Sequence, residues 1–142
     1  MDMYKKIVVA VDGSEVSKNA FRHAVELTRQ NNGTLTVIHI VPQIETLDIE
    51  TFKPESLRKG MMQEGEKILS EVRELAGKSG ITVQASVEEG VPFEKICEVA
   101  DKSDADLIVM GSHGRSGIGK VLIGSVTERV ISRTSCPVLV VK

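Results

Sequence analysis

Short β-branched apolar runs, set apart by longer stretches of helical periodicity, are what most constrain this chain. Residues Lys6 to Val11 (KIVVAV) and Thr34 to Val41 (TLTVIHIV) are almost continuously apolar. A strand of that kind has to be covered on both faces, which points to parallel strands sandwiched between helices. Between the two runs, Ser14 is placed to cap a helix whose stripe is Ala20, Phe21, Ala24, Val25, Leu27 and Thr28, closing near Asn31, Asn32 and Gly33. The same alternation continues. A second helix is predicted from about Glu55 to Lys78 on Leu57, Met61, Ile68, Val72 and Leu75, with Gly60 and Gly65 weakening its first turns and Gly80 closing it. Ile81 to Val87 reads as a third strand. A helix opens at Pro92 with Phe93, Ile96, Cys97 and Ala100 at i, i+3, i+4 and i+7. Asp106 to Met110 is the fourth strand, Gly124 to about Ser135 the fourth helix, and Pro137 to Val141 the fifth strand.

Each parallel crossover needs a helix, so five such strands and four helices predict an α/β fold: a three-layer, doubly wound, five-stranded parallel sheet. At 142 residues the chain has the length of one domain, residues 1–142, and it contains no internal repeat. The stretch from Pro42 to Pro54 carries Ile44, Leu47, Ile49 and Phe52 without a clear period, and reads as an adaptable flap.

Composition narrows the partners. Lysine plus arginine total 18 against 20 acidic residues, a net charge of -2, which offers no basic field for a nucleic acid. No apolar run approaches the roughly 20 residues that span a bilayer. The opening MDMYKKIVVAVDGS lacks the apolar core of a signal peptide, so a cytoplasmic location with no membrane association is expected. Cys97 and Cys136 form neither a CxxC nor a zinc-ligand spacing and read as small buried hydrophobes. Aromatics make up 3% with no Trp, so a ligand has to be held mainly by backbone rather than by stacking.

The backbone to do so is visible. Gly111, Gly114, Gly117, Gly119 and Gly124, five of the 12 glycines, fall between a buried strand and a helix. Glycine permits positive φ, letting successive N–H groups turn inward as a nest for phosphate oxygens. Gly124 and Ser125 then open a helix whose unpaired N–H groups and dipole favour an anion. A plain surface turn is the competing reading, but a loop this long is costly to order without a role. Ligands in open α/β sheets bind where the strand order reverses. With the predicted order 3-2-1-4-5, the reversal separates strands ending at Asp12 and Gly111. Asp12 is then a candidate acceptor for ribose hydroxyls; it also reads as a turn-former before the Ser14 cap, and the two roles are compatible. Gly114 to Val121 (GRSGIGKV) approaches a P-loop but has Val121 where a hydroxyl must meet Mg²⁺. Gly124→Val is expected to block a phosphate while leaving the fold largely intact, its bulk entering the nest.

The spacing Gly111-x2-Gly114-x9-Gly124-Ser125 resembles the signature of the ATP-binding branch of the universal stress protein family. The opening KIVVAVDGSEVSKNAFRHAVELT, the middle DADLIVMGSHGRSG and the ending SCPVLVVK are similar to this family in order and spacing. The resemblance implies an adenine nucleotide alpha hydrolase-like fold that binds ATP. It implies Asp12 at the ribose, Gly111 and Gly114 along the loop, and Gly124, Ser125, Val126 and Thr127 at the phosphates. Val11, Ile40 or Val41, and Met110 would surround adenine. It also implies a homodimer through the last strand, Pro137 to Val141, an apolar edge where unpaired backbone invites a partner.

Other polar residues are less telling. Arg115 and Lys120 can neutralise phosphate charge or be solvated. His113 sits in the loop, and His23 and His39 lack partners at metal-ligand spacing, so core or surface roles are expected for the latter two. Glu88 and Glu89 read as a solvated strand end. With no nucleophile and base pair in the sequence, the expected function is a nucleotide-dependent regulatory module of a stress response. The alternative is a slow ATPase in which Asp12 or His113 orients water while Mg²⁺ spreads the developing charge. A flavin domain is disfavoured by the scarcity of aromatics.

Overall fold

A computed structural model describes residues 3–43, 54–114 and 123–142. Five strands, β1 (Lys6–Ala10), β2 (Thr34–Val41), β3 (Val83–Glu89), β4 (Leu107–Gly111) and β5 (Val138–Val141), form one parallel sheet in the order β3-β2-β1-β4-β5. Helices α1 (Glu15–Asn31), α2 (Pro54–Lys78), α3 (Pro92–Lys102) and α4 (Ser125–Arg133) supply the crossovers. Both the fold class and the strand order match the sequence reading.

Alternation along the strands divides the core in two. Ile7, Val9 and Val11 of the first strand and its extension, with Leu35, Val37, Leu107 and Val109, pack under α1 and α2 against Phe21, Ala24, Leu69, Val72 and Ala76. Val8, Ile38, Ile108 and Met110 face the other way, onto Ile96, Cys97 and Ala100 of α3 and Val130 of α4. On the central strands, β1 and β4 above all, side chains that alternate in direction are thus buried on both faces, which is why these strands read as unbroken apolar runs, whereas edge strand β3 exposes Gln84 and Ser86.

Several element ends differ from the sequence expectation, each for a local reason. Ile81 precedes β3 instead of opening it, because its N–H closes the end of α2 on Ala76 O at 3.0 Å. β3 instead runs on to Glu89, paired with Val41, and Glu89 meets Arg58 of α2 at 2.6 Å. Asp106 stands before β4, its carboxylate accepting the N–H groups of Lys5 and Lys6 at 2.9 and 3.0 Å. β4 therefore starts at Leu107 and ends at Gly111. Val11 falls past the end of β1 although its N–H still donates to Ile38 O at 2.9 Å. Gly124 is the N-cap of α4, which ends at Arg133 because Thr134 turns extended. Pro137 precedes β5, its carbonyl accepting from Ile108 N–H at 2.9 Å. Of the proposed flap, residues 44–53 lie outside the described residues.

Helix α1 begins as expected: the Ser14 hydroxyl accepts from Ser17 N–H at 3.2 Å, and Asn32 ends the helix in the left-handed conformation. Its Phe21 is fully buried at the centre of the α1 face of the sheet. Phe21→Ala should therefore cost about 3–5 kcal/mol of folding free energy, read as a lower urea midpoint at unchanged slope.

Candidate functional site

The strand order reverses between β1 and β4, and the chain leaves both strands at the same edge of the sheet. After β1, the segment Val11-Asp12-Gly13-Ser14 turns into α1. Gly13 has φ 86, a left-handed value that suits glycine. Asp12 Oδ1 accepts from Ser14 N–H at 2.9 Å, an Asx turn. The Asp12 N–H donates to Ser17 Oγ at 3.2 Å, and that hydroxyl donates on to Ser14 O at 3.0 Å. Ser17 is buried although polar, and this pair of bonds explains why it can be.

After β4, Ser112 is buried and its N–H donates to Val141 O of β5 at 2.8 Å. Its hydroxyl lies 3.1 Å from His113 Nδ1. The chain returns to α4 through Gly124, whose N–H is bound by Ser112 O. Gly124 provides no capping side chain, so the first amides of α4, at Ser125, Val126 and Thr127, lack the N-cap hydroxyl that Ser14 gives α1. Thr127 is buried, its hydroxyl donating to Gly111 O at 2.9 Å and fastening helix to strand end.

The glycines are where the sequence put them, for a different reason. Gly111, Gly114 and Gly124 do not adopt positive φ; among the described residues that conformation belongs to Gly13, Gly80 and Gly90. Close approach explains them instead. A Cβ on Gly111 would stand 2.7 Å from Val16 Cγ1, and one on Gly114 would stand 2.9 Å from Asp12 Oδ2. One on Gly124 would meet His113 Cα at 3.1 Å. The first atom added by Gly124→Val would therefore press on the backbone of His113, which must give by a few tenths of an ångström, a local adjustment within a fold expected to stay largely intact.

The acid and the glycine segment, 102 positions apart in sequence, thus meet across the reversal point. Other predicted site residues fall around the same edge. Val11 and Met110 are buried, their side chains in opposite halves of the core; Val41 is buried and Ile40 half-buried at the end of β2. Main chain, rather than these side chains, is what Val11, Val41 and Met110 present. Ser125 is exposed and Val126 half-buried. Arg115 and Lys120 lie outside the described residues, as do Gly117 and Gly119.

A match to the family model described as the universal stress protein family runs over residues 3–142. The chain belongs to the universal stress protein family. It is 38% identical over 142 residues to the universal stress protein MJ0531 of Methanocaldococcus jannaschii, covering 99% of this chain and 84% of the relative. Among solved structures it is similar to MJ0577 of the same organism, with TM-score 0.87 and 31% identity over 99% of this chain and 96% of that one. It is also similar to a universal stress protein of Archaeoglobus fulgidus in complex with dAMP, with TM-score 0.70 and 27% identity over 99% of each chain.

Two features escaped the sequence reading. His39 donates through Nδ1 to Val11 O at 2.9 Å, and Ser17 holds the Asp12 N–H. The partner in the first bond is a backbone carbonyl on a neighbouring strand, which no residue spacing reveals. The cysteines behave as expected: both are free, and burial raises both thiol pKa values, with nearby carboxylates adding to the effect. Cys136 also donates to Ala105 O at 3.4 Å. Among the described residues no cluster of His, Cys, Asp and Glu is arranged to hold a metal, and no helix is long and apolar enough to cross a membrane.

Thr127→Val keeps the shape of the side chain but removes the donor to Gly111 O. It should cost about 1–3 kcal/mol, the penalty of an unsatisfied buried acceptor, measurable by urea denaturation.

Proposed function

We propose that this protein binds ATP in the crevice between β1 and β4, and that occupancy biases its surface or its dimer as a regulatory step in a stress response. The observation that carries this reading is the approach of Gly114 to the Asp12 carboxylate, beside an α4 N-terminus whose N-cap, Gly124, supplies no capping side chain. An acid on one wall suits ribose hydroxyls, and open helix amides on the other suit phosphate oxygens. The spacing between them calls for a ligand carrying both groups. The complex of the Archaeoglobus fulgidus relative with dAMP supports an adenine nucleotide here.

In this reading Asp12 takes the ribose, Gly111, Gly114 and Arg115 line the path of the phosphates, and Gly124, Ser125, Val126 and Thr127 receive them through main-chain amides. Thr127 contributes only its amide, its hydroxyl being committed to Gly111. The strand ends at Val11, Ile40, Val41 and Met110 meet adenine with main chain, since three of these side chains are buried. β5 lies at the edge of the sheet with three half-buried residues, Val138, Leu139 and Val140. A second copy pairing along it would form a two-fold homodimer. The protein would act in the cytoplasm.

Purification without added nucleotide, followed by denaturation and mass spectrometry, should release an adenine nucleotide. Asp12→Ala should weaken ATP binding about 10–100-fold in calorimetry, the value of losing hydrogen bonds to a charged acceptor. A wild-type protein that takes up no ATP at millimolar concentration overturns the proposal. Phosphate release from ATP with Mg²⁺ in the same preparation tests the alternative, a slow ATPase; negligible turnover is expected because no nucleophile and base pair accompanies Asp12.

A further inference from the structure

We infer that His39 is a positioning residue of the nucleotide crevice, holding the Val11–Asp12 peptide in place and tying it to α2. The inference rests on the nucleotide reading above. It begins with a single peptide group. The carbonyl of Val11 and the N–H of Asp12 share one plane, and both are held by side chains: the carbonyl accepts from His39 Nδ1 at 2.9 Å, and the N–H donates to Ser17 Oγ at 3.2 Å. Because a carbonyl only accepts, the proton must reside on Nδ1. With Val11 N–H bound to Ile38 O as well, rotation of this peptide is resisted from both neighbouring elements. Its orientation sets the direction in which Asp12 leaves the backbone, toward Gly114.

The second observation lies on α2. Gly65 is buried inside a 25-residue helix, where glycine is unfavourable and calls for a packing reason. His39 provides it. A Cβ on Gly65 would sit 2.7 Å from His39 Cδ2, 3.4 Å from Nε2 and 3.1 Å from Val87 Cγ2. The imidazole therefore fills the space that the missing side chain leaves, wedged between the helix and the β1 carbonyl. A shift of α2 against the sheet would reach the acid of the crevice through one rigid ring.

This arrangement acts on Asp12 and not on the amides of α4, so ligand fragments separate it from a general effect on folding. ATP, adenosine and inorganic tripolyphosphate are titrated into wild type, His39→Leu, His39→Asn and Gly65→Ala. His39→Leu should weaken ATP and adenosine by the same factor, about tenfold, which is the loss of one well-made bond's worth of ordering. Tripolyphosphate affinity should be unchanged. His39→Asn, whose amide N–H can replace Nδ1, should recover affinity to within about threefold of wild type. Gly65→Ala, which favours the helix but displaces the ring, should reproduce the adenosine-selective loss in a protein whose folding is checked by urea denaturation, and it decides the matter if His39→Leu does not fold. Equal loss of all three ligands, or unchanged adenosine affinity in Gly65→Ala, overturns the inference. Wild type that takes up none of the three overturns the nucleotide reading itself, and this inference with it.

Discussion

The layout of this molecule follows from central strands that cannot tolerate water on either face. Val8 and Val9, adjacent in β1, are both fully buried, which is possible only with helices above and below. A chain that winds β1, β2 and β3 in one direction and then returns past β1 to β4 and β5 satisfies that demand with α1 and α2 on one side and α3 and α4 on the other. The reversal leaves a notch between β1 and β4 at their carboxyl edge, since the connections depart from it to opposite faces. The crevice is thus a consequence of burying the sheet, and the sequence around it had only to set how closely its walls approach.

That shaping is done by removing atoms more than by adding them. Gly111 lets Val16 of α1 close over the end of β4, Gly114 lets the loop come up to the Asp12 carboxylate, and Gly124 lets α4 start against His113. In each case the neighbour is within the distance a Cβ would need, so the glycines fix how near the parts approach. Polar side chains then secure what the glycines allow: Ser17 on Asp12, Thr127 on Gly111. With few aromatics, Cys97 buried and Cys136 half-buried, the proposed recognition would fall to backbone amides and one acid, which suits a phosphate-bearing ligand better than a flat cofactor.

How much of this could be read in advance differs by scale. Layering was legible because the apolar runs report two-sided burial, whereas the strand order was taken from the doubly wound topology and is the order found; helix α3 was legible because Phe93, Ile96, Cys97 and Ala100 follow one helical face. Element ends were less so. Ile81 has the composition of a strand residue, yet its N–H is used to close α2, and nothing local distinguishes the two uses. The spacing of Gly111, Gly114 and Gly124 singled out the segment that lies against Asp12, but at these three positions conformational freedom was the wrong reason, because crowding by Val16, Asp12 and His113 arises only in the folded chain. His39 was invisible for the same cause: its partner is a carbonyl brought alongside by strand pairing. Gly65 was the available clue, a helix-weakening residue with a neighbour to accommodate.

The crevice is also joined to the sheet edge. Ser112, which carries the chain from β4 into the glycine segment, donates its N–H to Val141 at the end of β5, and it accepts from Gly124 at the start of α4. One residue beyond Val141, the Lys142 carbonyl accepts from the Asn19 side chain of α1 at 3.0 Å. The end of the edge strand is therefore held by the β4 exit and by the helix that follows Asp12, the two walls of the crevice. A ligand that drew those walls together would act on both attachments of β5 at once, whereas one that touched a single wall would strain one against the other. Coupling of this kind needs differential contact with two states of the strand, and the bonds from Ser112 and Asn19 are the contacts through which a regulatory module built on this sheet would have to work.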